Sequence, residues 1–181
     1  MTIEEAKRLM EEKVKNKNLQ KHSLAVSVVM AKLAERLGGD REKWALAGML
    51  HDLDYDQTKD DFEKHGLVSV EWLKDYQLAP EILDAILAHA DKKERTSLME
   101  KAIWCADPIT GFLVACALIH PEKKLEPINV EFVLNRMKEK SFARAVNREQ
   151  IKSCTELGLS LEEFIELSLS AMKEIAGELG L

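Results

Sequence analysis

Apolar residues recur every three or four positions along most of the chain. Ile3, Ala6, Met10 and Val14 form one such stripe, opened by a Thr2–Glu5 capping box, and predict a first helix over about residues 3–14. A second, from about Leu19 to Leu37, carries His22, Val26, Val29 and Leu33 on one face and stops at Gly38-Gly39. Asp40 is placed to cap a third helix that ends near His51, after which LDYDQTKDD reads as an acidic loop. Two more helices are predicted over about residues 62–75 and from Pro80 to His89. From Ser97 to Ile119 the chain is apolar nearly all round, which marks a central buried helix or a helix pair kinked at Pro108. A helix after Asn129, the polar segment KEKSFARAVNRE, and a last helix from Ser160 with Glu163 as its capping partner complete the pattern.

Composition agrees with an all-α fold. The 181 residues are 46% hydrophobic and 32% charged, with only 8 Gly and 4 Pro, which suits one globular helical domain with a real core. The net charge of −6, with Lys and Arg scattered among acids, offers no basic stripe, so extended nucleic acid is not expected as a partner. Cys105, Cys116 and Cys154 are odd in number and set among apolar residues, as reduced thiols of a cytoplasmic protein would be. The acidic, amphipathic start is no export signal, and no stretch approaches the roughly 20 uninterrupted apolar residues of a membrane span. Pairing of two copies of the chain is left open, although ITGFLVACALI reads as core rather than as a dimer surface.

Four of the five histidines, His22, His51, His65 and His89, fall where a helix would otherwise bury an apolar side chain. One such histidine is ordinarily a hydrogen-bonded core residue. Four of them, at a similar depth to Asp52 and Asp107, point to something shared. A buried carboxylate costs several kcal/mol unless paired or bound to a cation, and nothing beside Asp107 in ADPITG offers a positive partner. One or two divalent metals held by neutral imidazoles and carboxylates would compensate it. That donor mixture suits Fe, Mn, Co, Ni or Zn, with Mg also admitted, better than Ca. Adjacent helical residues point about 100° apart, but at a helix end His51 can ligate from one side while Asp52 bridges to a second metal.

The series His22, His51-Asp52 and Asp107, in the contexts KHSLAV, AGMLHDLD and WCADPITG, resembles the H…HD…D signature of the HD superfamily of metal-dependent phosphohydrolases over about residues 19–110. The resemblance implies that these four residues hold one metal. It further implies that His65 in EKHG and His89 in LAHAD match the two added histidines of dinuclear members, with Asp52 as the bridge. Residues 1–181 would then form one helical HD-type domain, with the metal-site core at about 19–110 and a helical extension from about 111. The chain departs from the HDIGK-type pattern, having Asp54 and Tyr55 in place of the glycine and lysine, and it lacks the doubled later histidine, with Ala90 after His89. Neither cyclic-dinucleotide specificity nor that of the alarmone hydrolases is implied.

A bound divalent ion lowers the pKa of water from 15.7 towards about 7 and polarises a phosphoryl oxygen, which suits hydrolysis of a nucleotide or another small phosphorylated metabolite. Asp54 is the candidate for a supporting acceptor or proton shuttle, set against a solvated loop acid. Lys140, Arg144 and Arg148 are candidates for a phosphate clamp, with the two arginines on one helical face, and Lys92 lies near His89. Two other readings are a diiron oxygenase of the same ligand type and a non-catalytic ligand-sensing module.

Overall fold

Helix caps set most of the boundaries in the computed structural model, which describes all 181 residues and contains no strand. The helices are α1 (Ile3–Lys13), α2 (Lys17–Leu37), α3 (Arg41–Leu50), α4 (Tyr55–Thr58), α5 (Leu67–Leu73) and α6 (Pro80–His89), followed by α7 (Leu98–Ile119), α8 (Val130–Lys138), α9 (Arg148–Lys152), α10 (Leu161–Glu174) and α11 (Ala176–Leu179). Thr2 and Glu5 form the expected capping box of α1, and Gly38 ends α2 in the left-handed conformation at φ +73°. Asp40 caps α3 through Oδ1, which accepts from the amides of Glu42 and Lys43 at 3.1 and 3.2 Å.

α2 and α3 meet backbone to backbone. A Cβ on Gly48 would stand 2.8 Å from the N and Cα of Ser27 and from the carbonyl carbon of Val26. Only glycine allows that approach. The Ser27 hydroxyl donates to the Ala45 carbonyl at 2.9 Å and locks the register. One apolar core of 43 buried residues runs from Ala6 in α1 to Leu179 in α11, so the same packing fixes both ends of the chain.

α7 is the central helix and packs against α2, α6, α9 and α10. It is unbroken, which decides between the single helix and the kinked pair. Pro108 lacks the N–H that would reach the Trp104 carbonyl one turn back, and Gln150 Nε2 donates to that carbonyl at 2.8 Å instead. By length and hydropathy α7 is long and apolar enough to cross a membrane, contrary to the reading of the sequence, yet Phe112, Leu113, Cys116 and other side chains along it are buried in the core.

Three segments differ from expectation. The stretch after His51 is not a plain loop but contains α4, and residues 62–66 are a turn rather than the start of a helix. Residues 139–147 are also non-helical, so Arg144 and Arg148 do not share a helical face.

Glu100 ties the start of α7 together. Its Oε2 accepts from the amides of Thr96 and Ser97 at 2.7 and 2.8 Å, and its Oε1 accepts from Lys93 Nζ at 2.7 Å. Burial opposes the charged form, but Lys93 and the amide donors outweigh it and hold the carboxyl at about 2 against an ordinary 4.5. The contribution of Glu100 to stability is therefore complete above about pH 4.5 and is lost as the pH falls towards 2. Glu100→Gln should cost about 1–3 kcal/mol near neutral pH in a denaturation experiment. The gap from the parent should close in acid.

Candidate metal centre

Five elements deliver six side chains to one place. His22 projects from the first half of α2, His51 caps the C-terminus of α3, and Asp52 follows in the turn. His89 is the last residue of α6, and Asp107 lies midway along α7. His65 sits in the turn before α5 and not on a helix; Gly66, at φ +79°, makes the sharp exit that this placement needs.

The Asp52 carboxylate is the hub. Its Oδ2 faces His22 Nε2 at 3.7 Å and His51 Nε2 at 3.4 Å, while its Oδ1 faces the Nε2 atoms of His65 and His89, both at 3.3 Å. His22 Nε2 also lies 3.0 Å from Asp107 Oδ1. Two sets of atoms are close enough to hold an ion: His22, His51 and Asp107, and His51, Asp52 and His89. Asp52 touches both regions through different oxygens, as a bridging carboxylate would.

The other ring nitrogen of every histidine is occupied, which fixes which nitrogen can ligate. His51 Nδ1 donates to the Gly48 carbonyl at 2.8 Å and His89 Nδ1 to the Ile86 carbonyl. The Thr110 hydroxyl donates to the Asp107 carbonyl at 2.9 Å, so it accepts from His22 Nδ1 at 3.1 Å. Asp54 Oδ1 accepts from His65 Nδ1 at 2.9 Å. All four imidazoles therefore present Nε2 to Asp52 and its surroundings. His51 Nε2 is buried and has no hydrogen-bond partner, an orphan that a cation would satisfy. The residues fit a divalent transition metal by donor type and by tautomer.

Crowding shows in the titration of these groups. Burial disfavours the charged form of His51, but the Asp52 carboxylate prevails and pushes it up to about 9. His65 is likewise raised to about 9, against its burial, by Asp52 and Asp54. Asp52 lies well below the usual carboxylate range because His51 and the other imidazoles outweigh its desolvation. Asp107 is lowered against its own desolvation, chiefly by His22.

Asp54 takes the first of the roles offered for it, a supporting acceptor. It is neither a solvated loop acid nor a shuttle in contact with bulk water, because its side chain is wholly buried. Oδ2 accepts from the amides of Gly66 and Ser69 at 2.8 and 3.0 Å, while Oδ1 fixes His65. Asp54 is a positioning residue. An asparagine cannot accept on both sides, so Asp54→Asn should weaken metal binding by about 10–100-fold. A competition titration against a chromophoric chelator reads this directly, and an unchanged affinity would remove Asp54 from the support of the centre.

The expected phosphate clamp is not formed. Arg148 donates to the carbonyls of Ala143 at 2.7 Å and Val146 at 3.0 Å, and also to Phe142, while its guanidinium stacks on Phe112. Those carbonyls occupy its donors because the turn at 139–147 folds around it. Lys140 and Arg144 are exposed on that turn. Lys92 lies 3.8 Å from Glu63, beyond the end of α6. Sequence reasoning missed Thr110, Ser69 and Gly48 as supports; Thr110, one turn after Asp107, was the one that helical spacing could have offered.

A family model described as HD domain matches residues 19–131. Among curated proteins, Ribonuclease Y of Geobacter sulfurreducens is 28% identical over 96 residues, covering 53% of this chain and 18% of that protein. Ribonuclease Y of Campylobacter jejuni is 33% identical over 94 residues, covering 52% of this chain and 18% of that protein. The chain thus spans under a fifth of the length of these relatives. No solved structure matches it.

Proposed function

Because the chain belongs to the HD domain family, we propose that it is a metal-dependent phosphohydrolase acting on a phosphate ester of a nucleotide or another small phosphorylated metabolite. The observation that carries this reading is the orphaned, buried Nε2 of His51, set among three further Nε2 atoms that converge on the two oxygens of Asp52. His22, His51 and Asp107 would hold one ion, His65 and His89 a second, and Asp52 would join the two. A bound divalent ion supplies Lewis acidity, acidifying water and polarising a phosphoryl oxygen.

The chain's own residues do the rest. Gly48, Ile86, Thr110 and Asp54 keep the protons on the Nδ1 atoms, so that the four rings are already oriented and a bound cation has only to displace protons from Nε2. The wholly buried His51 and Asp54 form a floor from which bulk water is excluded. His22 and Asp107 keep 20% and 31% of their side chains exposed, which supports approach of the substrate from their edge.

A second reading, with an RNA phosphodiester as substrate, is favoured by the likeness to Ribonuclease Y. The net charge of −6 and the absence of a basic stripe weigh against it. A panel of phosphomonoesters, nucleotides and short oligoribonucleotides, assayed with protein loaded with Mn, Co, Fe, Ni or Mg, tests the proposal. Release of inorganic phosphate from a nucleotide is the expected result. Oxygen uptake by the iron-loaded protein with no phosphate release would replace it with the oxygenase reading.

A further inference from the structure

The candidate metal centre opens on one side only. His22 and Asp107 expose 20% and 31% of their side chains, against 0% for His51 and 3% for His89. A cavity of about 390 Å³ between α2 and α7 meets the centre at His22, with His22 and Thr110 at one end and the stretch Leu179–Leu181 forming a flank. Val114, Leu118 and Leu179 give it apolar walls, while Asn18 and Lys21 contribute an amide and an ammonium. Lys21 Nζ reaches Gly180 on the opposite flank, where an added Cβ would stand 3.1 Å from it. Lys21 is the one lysine or arginine that lines the cavity.

We propose that this cavity seats the organic group of a nucleoside-sized phosphate ester, with the phosphate at the His22 end and Lys21 as its accompanying cation. The inference rests on the phosphohydrolase reading and names the substrate class of that site. A volume of about 390 Å³ falls within the range of roughly 300–1,000 Å³ typical of small-molecule sites. A heterocyclic ring takes apolar walls, and its polar edge or a sugar hydroxyl takes an amide such as that of Asn18. The phosphate needs a cation beyond the metals, and with Arg148 bonded to backbone carbonyls, Lys21 is the group at hand. A cavity flanked by Leu179–Leu181 suits one nucleoside; a continuing strand would need a track of further cations, which its lining does not supply.

Gly111 makes the proposal testable, because it lines the cavity and a Cβ added there meets nothing within 4 Å. A larger side chain at that position enters the cavity without displacing α7. Leu118, 55% exposed on α7, offers a second occluding position that does not disturb the core. Calorimetric titration of the metal-loaded full chain would compare the non-hydrolysable 5′-methylenephosphonate analogue of uridine monophosphate with inorganic phosphate. The parent should bind the analogue at least about tenfold more tightly than phosphate. Gly111→Phe and Leu118→Trp should each abolish that advantage with metal content unchanged, and Lys21→Ala should weaken both ligands. The proposal is overturned if the parent shows no advantage, if the advantage survives in both occluded variants, or if a short oligoribonucleotide binds more tightly than the analogue and ignores Gly111→Phe. Binding that follows the expected pattern in protein that releases no phosphate upholds the cavity assignment and removes only the hydrolase reading.

Discussion

Asp52→Ala should strip the protein of metal and reduce phosphate release by at least about a thousandfold, the equivalent of some 4 kcal/mol of lost transition-state stabilisation. The size of the effect follows from the position of the carboxylate. Asp52 is the only side chain that meets all four convergent imidazoles, His22 and His51 through Oδ2 and His65 and His89 through Oδ1. Removing any one histidine leaves the others a shared partner, whereas removing Asp52 leaves the four Nε2 atoms without their common carboxylate, with Asp107 remaining beside His22 Nε2 and Asp54 on the far nitrogen of His65. Added Mn or Co should raise the thermal midpoint of the parent, since a ligand that binds only the folded state stabilises it, and should leave Asp52→Ala unmoved. A variant that still gains stability from metal would show that the ions bind elsewhere.

Gly48→Ala should destabilise the fold and the metal centre together. The added carbon would sit 2.8 Å from backbone atoms of Ser27 and Val26, and backbone cannot rotate away as a side chain can. Overpacking of this kind costs about 1–3 kcal/mol, which corresponds to a fall of roughly 2–12 °C in the thermal midpoint of a domain of this size. The same shift reaches the metal centre by two routes. His51 is held by the Gly48 carbonyl at 2.8 Å, and His22 stands on the helix that would be pushed away. Metal affinity should therefore fall together with stability, by about 10–100-fold, in a chelator competition run on the same sample. A variant as stable as the parent would mean that α2 and α3 have room to part without cost.

Much of this was legible from local pattern. Thr2, Asp40 and Ser160 cap helices as their spacing foretold, because a cap is settled within four residues of chain. His22, His51, His89 and Asp107 stand on the elements assigned to them for the same reason. Where partners lie far along the chain, the pattern gave no guidance. Asp54 stood out as a candidate acceptor, but nothing local showed that its Oδ2 would be claimed by amides 12 and 15 residues away. Asp56 looked like loop and instead accepts from the amides of Lys15 and Asn16, bracing the turn between α1 and α2. Arg148 looked available to a phosphate because nothing local showed the ring of carbonyls that the 139–147 turn would close around it. Pro108 left the choice between a straight and a broken helix to Gln150, 42 residues on, which takes up the carbonyl that the proline leaves bare.

The metal centre itself is tested most directly by elemental analysis of the full chain purified without chelators. The parent should carry at least one and at most two divalent transition ions per chain, and Asp52→Ala should carry none. Parent protein with no metal above background, and with none retained after incubation with Mn, Fe, Co, Ni or Zn, would contradict a metal centre built on Asp52.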